Sequence, residues 1–132
     1  MITAVDSCVL LDIAVNDARH GTKSSETFKM ARRQGRIIVS ECVVSEISPI
    51  CGSRTEAFLD SLNVHFIPLS KPGALPAGEM FSKYLTRGGK RGRIVADFLI
   101  GAHTAKNADR LLTRDAGFLR DYFSSLEIWY PC

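Results

Sequence analysis

Two aspartates in the stretch Arg93 to Phe123, Asp97 and Asp115, stand where core packing does not call for an acid. Around Asp97 the residues Ile94, Val95, Phe98, Leu99 and Ala102 recur at three- and four-residue spacing, which predicts a helix with one buried face and a carboxylate on its border. Asp115 follows Leu111, Leu112, Thr113 and Arg114, a short apolar run passing into a polar loop, so it is expected just beyond the C-terminal end of a buried strand. Asp6 occupies the same kind of place, after Ile2 to Val5 and before Ser7 and the apolar helix face of Cys8, Val9, Leu10, Leu11 and Ile13. It suits either an N-cap or a ligand. Glu46 lies beside the apolar positions of a helix over Cys42 to Ile47 and suits either a surface acid or a ligand, whereas Glu41 suits a capping charge and Asp12 a solvated or salt-bridged helix position.

Carboxylates brought close together resist ionising together unless a cation supplies the missing positive charge. Hard oxygen donors without a His or Cys cluster favour Mg²⁺ or Mn²⁺ over zinc. A water made more acidic by such an ion can attack a phosphodiester while the ion offsets charge on the phosphate oxygens. Spacing alone is weak evidence for this, because the chain has 14 acids and four of them fit many patterns.

The elements that must carry these acids follow from the alternation of apolar runs. Strands are expected near residues 2–5, 37–39, 64–69, 110–113 and 126–130, with helices between them, which indicates an α/β fold: a small, mostly parallel sheet of about five strands with helices on both faces. In such sheets Asp6 and Asp115 share the strand-end edge where ligands bind. Loops are expected at His20 to Thr22 and Lys71 to Gly78, caps at Ser24 or Ser25, Ser40 and Ser53, and a helix stop at Pro49 and Gly52. His65 is expected to face outward from its strand. Arg87 to Arg93, RGGKRGR, is the densest basic, glycine-rich stretch, and Lys90, Arg91 and Arg93 suit either a solvated loop or a strap holding phosphates beside the acids.

At 132 residues and 45% hydrophobic, the chain is expected to form a single domain over 1–132. A formal net charge of +3 is compatible with a polyanionic partner without predicting one. The four cysteines form no C-x-x-C pair and the opening MITAVDS has no basic or long apolar leader, so a cytoplasmic protein with reduced thiols is expected. No apolar run approaches the roughly 18 residues of a membrane span, so no membrane role is expected.

The segments AVDSCVLLDI, VVSEI, VADFLIGAHTAKNADRLLTRDAGFLRDYF and LEIW together resemble a PIN-domain ribonuclease of the VapC toxin type, and the likeness spans almost the whole chain. The resemblance implies a PIN-like fold and a metal site of dispersed acids that bind Mg²⁺ or Mn²⁺: Asp6, Glu46, Asp97 and Asp115. It implies that Ser7 and Thr113 orient water or a carboxylate. It further implies an endoribonuclease, the toxin of a type II toxin–antitoxin pair, cutting tRNA or rRNA, with a VapB-like antitoxin as partner and a toxin homodimer. One position departs: two residues beyond the first Asp such toxins often have Asn, here Cys8, which is expected to be a buried apolar thiol and not a nucleophile.

Three alternatives stand beside this. One is a PIN nuclease of RNA processing without a toxin role, another an inactive PIN-like binding module. The third, an aspartyl phosphatase, would need a second Asp where Cys8 stands.

Overall fold

The computed structural model describes residues 1–90, 95–114 and 121–131. Its chain runs β1 (Ile2–Val5), α1 (Ser7–Ala14), α2 (Gly21–Gln34), β2 (Arg36–Val39), α3 (Glu41–Cys51), a 3₁₀ turn (Gly52–Arg54), α4 (Thr55–Ser61), β3 (Val64–Phe66), α5 (Ser70–Thr86), α6 (Val95–Asn107), β4 (Arg110–Leu112) and β5 (Ile128–Trp129). The strands of the described residues form one sheet in the order β3-β2-β1-β4-β5, every pairing parallel. The expected α/β architecture is therefore present, and its sheet is wholly parallel.

Strands β1, β2 and β4 are covered on both faces, which is why their sequences are continuous apolar runs and not alternating ones. Val5, Leu10, Phe28, Ile37, Ile47, Phe98, Leu111 and Leu112 are each at most 2% exposed and form the centre of the core. The chain winds outward from β1 to β2 to β3, then crosses back to place β4 on the other side of β1. With the right-handed crossovers usual for parallel strands, this order puts α1 to α4 on one face and α5 and α6 on the other. The strand order reverses between β1 and β4, and in sheets of this kind that reversal forms a ligand-binding crevice outside the C-terminal strand ends.

At the opposite end of those strands the polar groups are fastened to one another. Arg110, 6% exposed, donates from Nε to Thr3 Oγ1 at 2.9 Å and from Nη2 to Gln34 Oε1 at 2.6 Å, and its guanidinium lies 3.8 Å from the centre of the Trp129 ring. Asp109 accepts the Ile2 N–H at 2.7 Å.

Several local expectations are corrected. Lys71 to Gly78 is not a loop but the first half of α5. Pro72 sits in the first helical turn, where a missing N–H costs nothing, and the interior Pro76 is carried by the packing of α5 against α6. Pro49 does not end α3, which continues to Cys51; the Ser45 carbonyl that loses its partner at Pro49 accepts instead from Ser48 Oγ at 3.3 Å. Helix α2 begins at Gly21, within the expected loop and without a serine cap, and ahead of it Asp17 accepts the N–H groups of Arg19 and His20 at 3.0 and 2.7 Å. Ser40 holds the N-cap position of α3 but makes no cap bond, and α4 starts at Thr55 after the 3₁₀ turn and not from a Ser53 cap. His65 is exposed, as expected. The helix expected after Asp115 lies largely outside the described residues.

Candidate functional site

Asp6 closes β1, and its N–H donates to Leu112 O at 2.9 Å, tying the ends of the two central strands together at the crevice. The expected cap role of Asp6 is present, and its other oxygen is turned toward β4. Oδ1 accepts the Ser7 N–H at 2.7 Å at the start of α1, while Oδ2 accepts the Thr113 hydroxyl at 2.7 Å across from β4. Ser7 Oγ lies 3.3 Å from Asp6 Oδ1 and 3.0 Å from Glu46 Oε1. A hydroxyl has one proton, so the shorter contact makes Ser7 the bridge to Glu46. Asp6, Ser7, Glu46 and Thr113 thus form one hydrogen-bonded chain drawn from β1, α1, α3 and the end of β4.

Asp97 lies in the first turn of α6, half-buried. The N-terminal turns of α3 and α6 meet at Cys42, whose Sγ donates to Ala96 O at 3.7 Å. Burial, and then the charges of Glu46, Asp6, Asp97 and Glu41, push the Cys42 thiol up to about 12. One half-buried thiol therefore feels all three described acids of the expected set. Among the described residues no group of three His, Cys, Asp or Glu side chains is close enough to hold an ion as it stands. Asp115 lies outside the described residues, as do Arg91 and Arg93; Lys90 is exposed beyond the end of α5.

Cys8 is not the purely apolar residue expected. It is half-buried, and its Sγ sits 3.7 Å from Asp6 Oδ2 and 3.6 Å from Thr113 Oγ1. Its thiol gives the carboxylate a weak donor where an Asn would give a stronger one. Burial, followed by the Asp6 charge, raises its pKa to about 11, in keeping with the expectation that it is no nucleophile. A raised thiol pKa stabilises the protonated folded state fully below the unfolded value of 9.0, and that stability is lost as pH rises toward 11. We expect the urea midpoint to fall between pH 9 and 11, and alkylation of Cys8 by iodoacetamide in the native protein to be slow at pH 8; fast modification at pH 8 would contradict the half-buried, acid-flanked thiol.

Glu41 acts mainly as a fastener, its Oε1 accepting the Leu69 N–H at 2.7 Å ahead of α5. His103, absent from the expected site, is 2% exposed and donates from Nε2 to Ile67 O at 2.8 Å; burial lowers its pKa, so it is a neutral tie between α6 and the segment after β3. Asp12, expected to be solvated or salt-bridged, is buried and salt-bridged to Arg114.

The sequence pattern of the PIN domain matches residues 3–123. The chain belongs to the PIN domain family. No curated protein sequence matches it. Solved structures share the fold at low identity. VapBC2 from Rickettsia felis, bound to a DNA fragment from its promoter, is 18% identical with a TM-score of 0.73, covering 98% of both chains. The DNA-bound VapBC from Salmonella typhimurium is 14% identical with a TM-score of 0.72, covering 100% of this chain and 99% of that one. A sarcin-ricin loop cleaving VapC toxin from Mycobacterium tuberculosis is 16% identical with a TM-score of 0.65, covering 95% and 98%. The PIN domain thus places Asp6 and Thr113 where its central strands end, with Glu46 joined through Ser7.

Proposed function

We propose that this PIN domain is a Mg²⁺- or Mn²⁺-dependent endoribonuclease, the cytoplasmic toxin of a VapBC-type pair, which cuts structured RNA such as tRNA or rRNA and is held inactive by a VapB-like antitoxin. The observation that carries this reading is the Thr113–Asp6–Ser7–Glu46 chain of hydrogen bonds at the crevice between β1 and β4. The donors there are carboxylates and hydroxyls, hard oxygen ligands that suit Mg²⁺ or Mn²⁺ better than zinc. Asp6, Glu46, Asp97 and Asp115 would hold the ion, which when bound would activate water and offset phosphate charge. Thr113 fixes the rotation of the Asp6 carboxylate, and Ser7 does the same for Glu46. Lys90, Arg91 and Arg93 would hold the RNA backbone beside the acids.

Support for a protein partner comes from a groove of about 390 Å³ lined by Ala14, Val15, Ile50, Cys51, Arg54 and Phe58, in which Val15 and Ile50 are 56% and 60% exposed. Among the described residues no helix is long and apolar enough to cross a membrane. In an antitoxin-bound toxin the homodimer suggested by the family would be the assembled form.

The test is purified protein incubated with total RNA in EDTA and then in millimolar Mn²⁺, with cleavage ends mapped by sequencing. Discrete new ends in Mn²⁺ alone, together with growth arrest on expression, are the expected result. Discrete cleavage without growth arrest would point to RNA processing, and cleavage that persists in EDTA would overturn metal dependence.

A further inference from the structure

Asp12 is 4% exposed, an unusual place for an acid that the proposed metal set does not use. Its two oxygens are both taken by Arg114, from Nε to Oδ2 at 2.7 Å and from Nη2 to Oδ1 at 3.0 Å, and Ser24 Oγ donates to Oδ2 at 2.6 Å. Arg114 directly follows Thr113, whose hydroxyl holds Asp6 Oδ2. The Arg114 backbone N–H in turn faces the Cys8 thiol. The end of β4 is therefore fastened to α1 at two levels, at Asp6 before its first residue and at Asp12 inside it. Arg114 itself is exposed, so the pair contributes little net stability, but a two-point guanidinium–carboxylate pair fixes geometry.

We propose that Asp12 and Arg114 are positioning residues that set the register of Thr113 against Asp6 and so aim the Asp6 carboxylate at a divalent cation. The inference rests on the metal-dependent reading above. Partners one step removed from a metal ligand typically change metal affinity about 10- to 100-fold when lost.

The experiment titrates the full chain with Mn²⁺ alone by calorimetry and measures Tm for each variant. Asp12→Asn breaks the ionic pair, Arg114→Lys keeps the charge but loses the fork, and Ser24→Ala removes only a hydrogen bond to Asp12. The first two are expected to weaken Mn²⁺ binding by about tenfold or more, while Ser24→Ala lowers Tm with Mn²⁺ affinity unchanged. Should Asp12→Asn fail to fold, Arg114→Lys carries the test. Wild-type affinity in both clamp variants, or affinity that merely follows Tm through all three, would overturn the inference. Wild-type protein that binds no Mn²⁺ at millimolar concentration would instead remove the metal-dependent reading on which it stands.

Discussion

Asp6→Asn is expected to lower RNA cleavage by roughly a thousandfold, about 4 kcal/mol of lost transition-state stabilisation, with the fold intact. The geometry predicts both halves. An asparagine keeps a carbonyl oxygen to accept the Ser7 N–H, and the Thr113 hydroxyl can turn to accept from the new amide, so neither hydrogen bond at the crevice need be lost. Removing one negative charge also relieves its repulsion with Glu46 and Asp97, whose fields already converge on Cys42. The Tm should therefore hold or rise. What goes is the negative charge with which Asp6 is proposed to hold the cation. Single-turnover cleavage in Mn²⁺ alongside a thermal melt checks this; retained cleavage at wild-type Tm would sink Asp6 as a ligand.

Phe98→Ala is expected to be the most damaging stability change near the site, costing about 3–5 kcal/mol. Phe98 is fully buried, with ring centres 5.7 Å from Phe81, 5.6 Å from Tyr84, 5.2 Å from Tyr122 and 6.4 Å from Phe123. These rings come from α5, α6 and the segment before β5, so truncation leaves a cavity where three parts of the chain meet. The loss is a large fraction of an ordinary domain's stability. Urea unfolding measures it, and Phe98→Leu, which keeps most of the volume, should cost markedly less. Equal costs would show that the aromatic cluster closes up around the gap.

The sheet and most of its helices were legible because continuous apolar runs mark strands covered on both faces, and the family pattern marked which acids to follow. The first half of helix α5 was not legible, although its second half, around Met80 to Leu85, was. Pro72, Gly73, Pro76 and Gly78 carry the local signature of a loop, and only contacts with a helix distant in sequence make them helical. Of the site, Asp6, Ser7, Glu46 and Thr113 were foreseen as residues and the structure brings them together. The neighbouring Asp97 shares with them the field at Cys42. Their detailed connections were not foreseeable, because a one-dimensional pattern does not say which oxygen of Asp6 caps α1 and which faces β4. Cys8 looked apolar because a thiol in a run of Val and Leu usually is, and its polar contact appears only when Thr113 is placed across from it. Asp12 belongs to the same class: its partner lies 102 positions away.

Strand β4 is three residues long, about 10 Å from end to end. Arg110 opens it, locked to Thr3, Gln34 and Trp129, while Thr113 follows its far end at the acids. The central pair of strands therefore works as a mounting plate, bolted at one rim and open for fitting at the other. A lineage built on this plate can vary the side chains and loops of the open rim, and with them what is bound there, while the bolts below keep the chain folded.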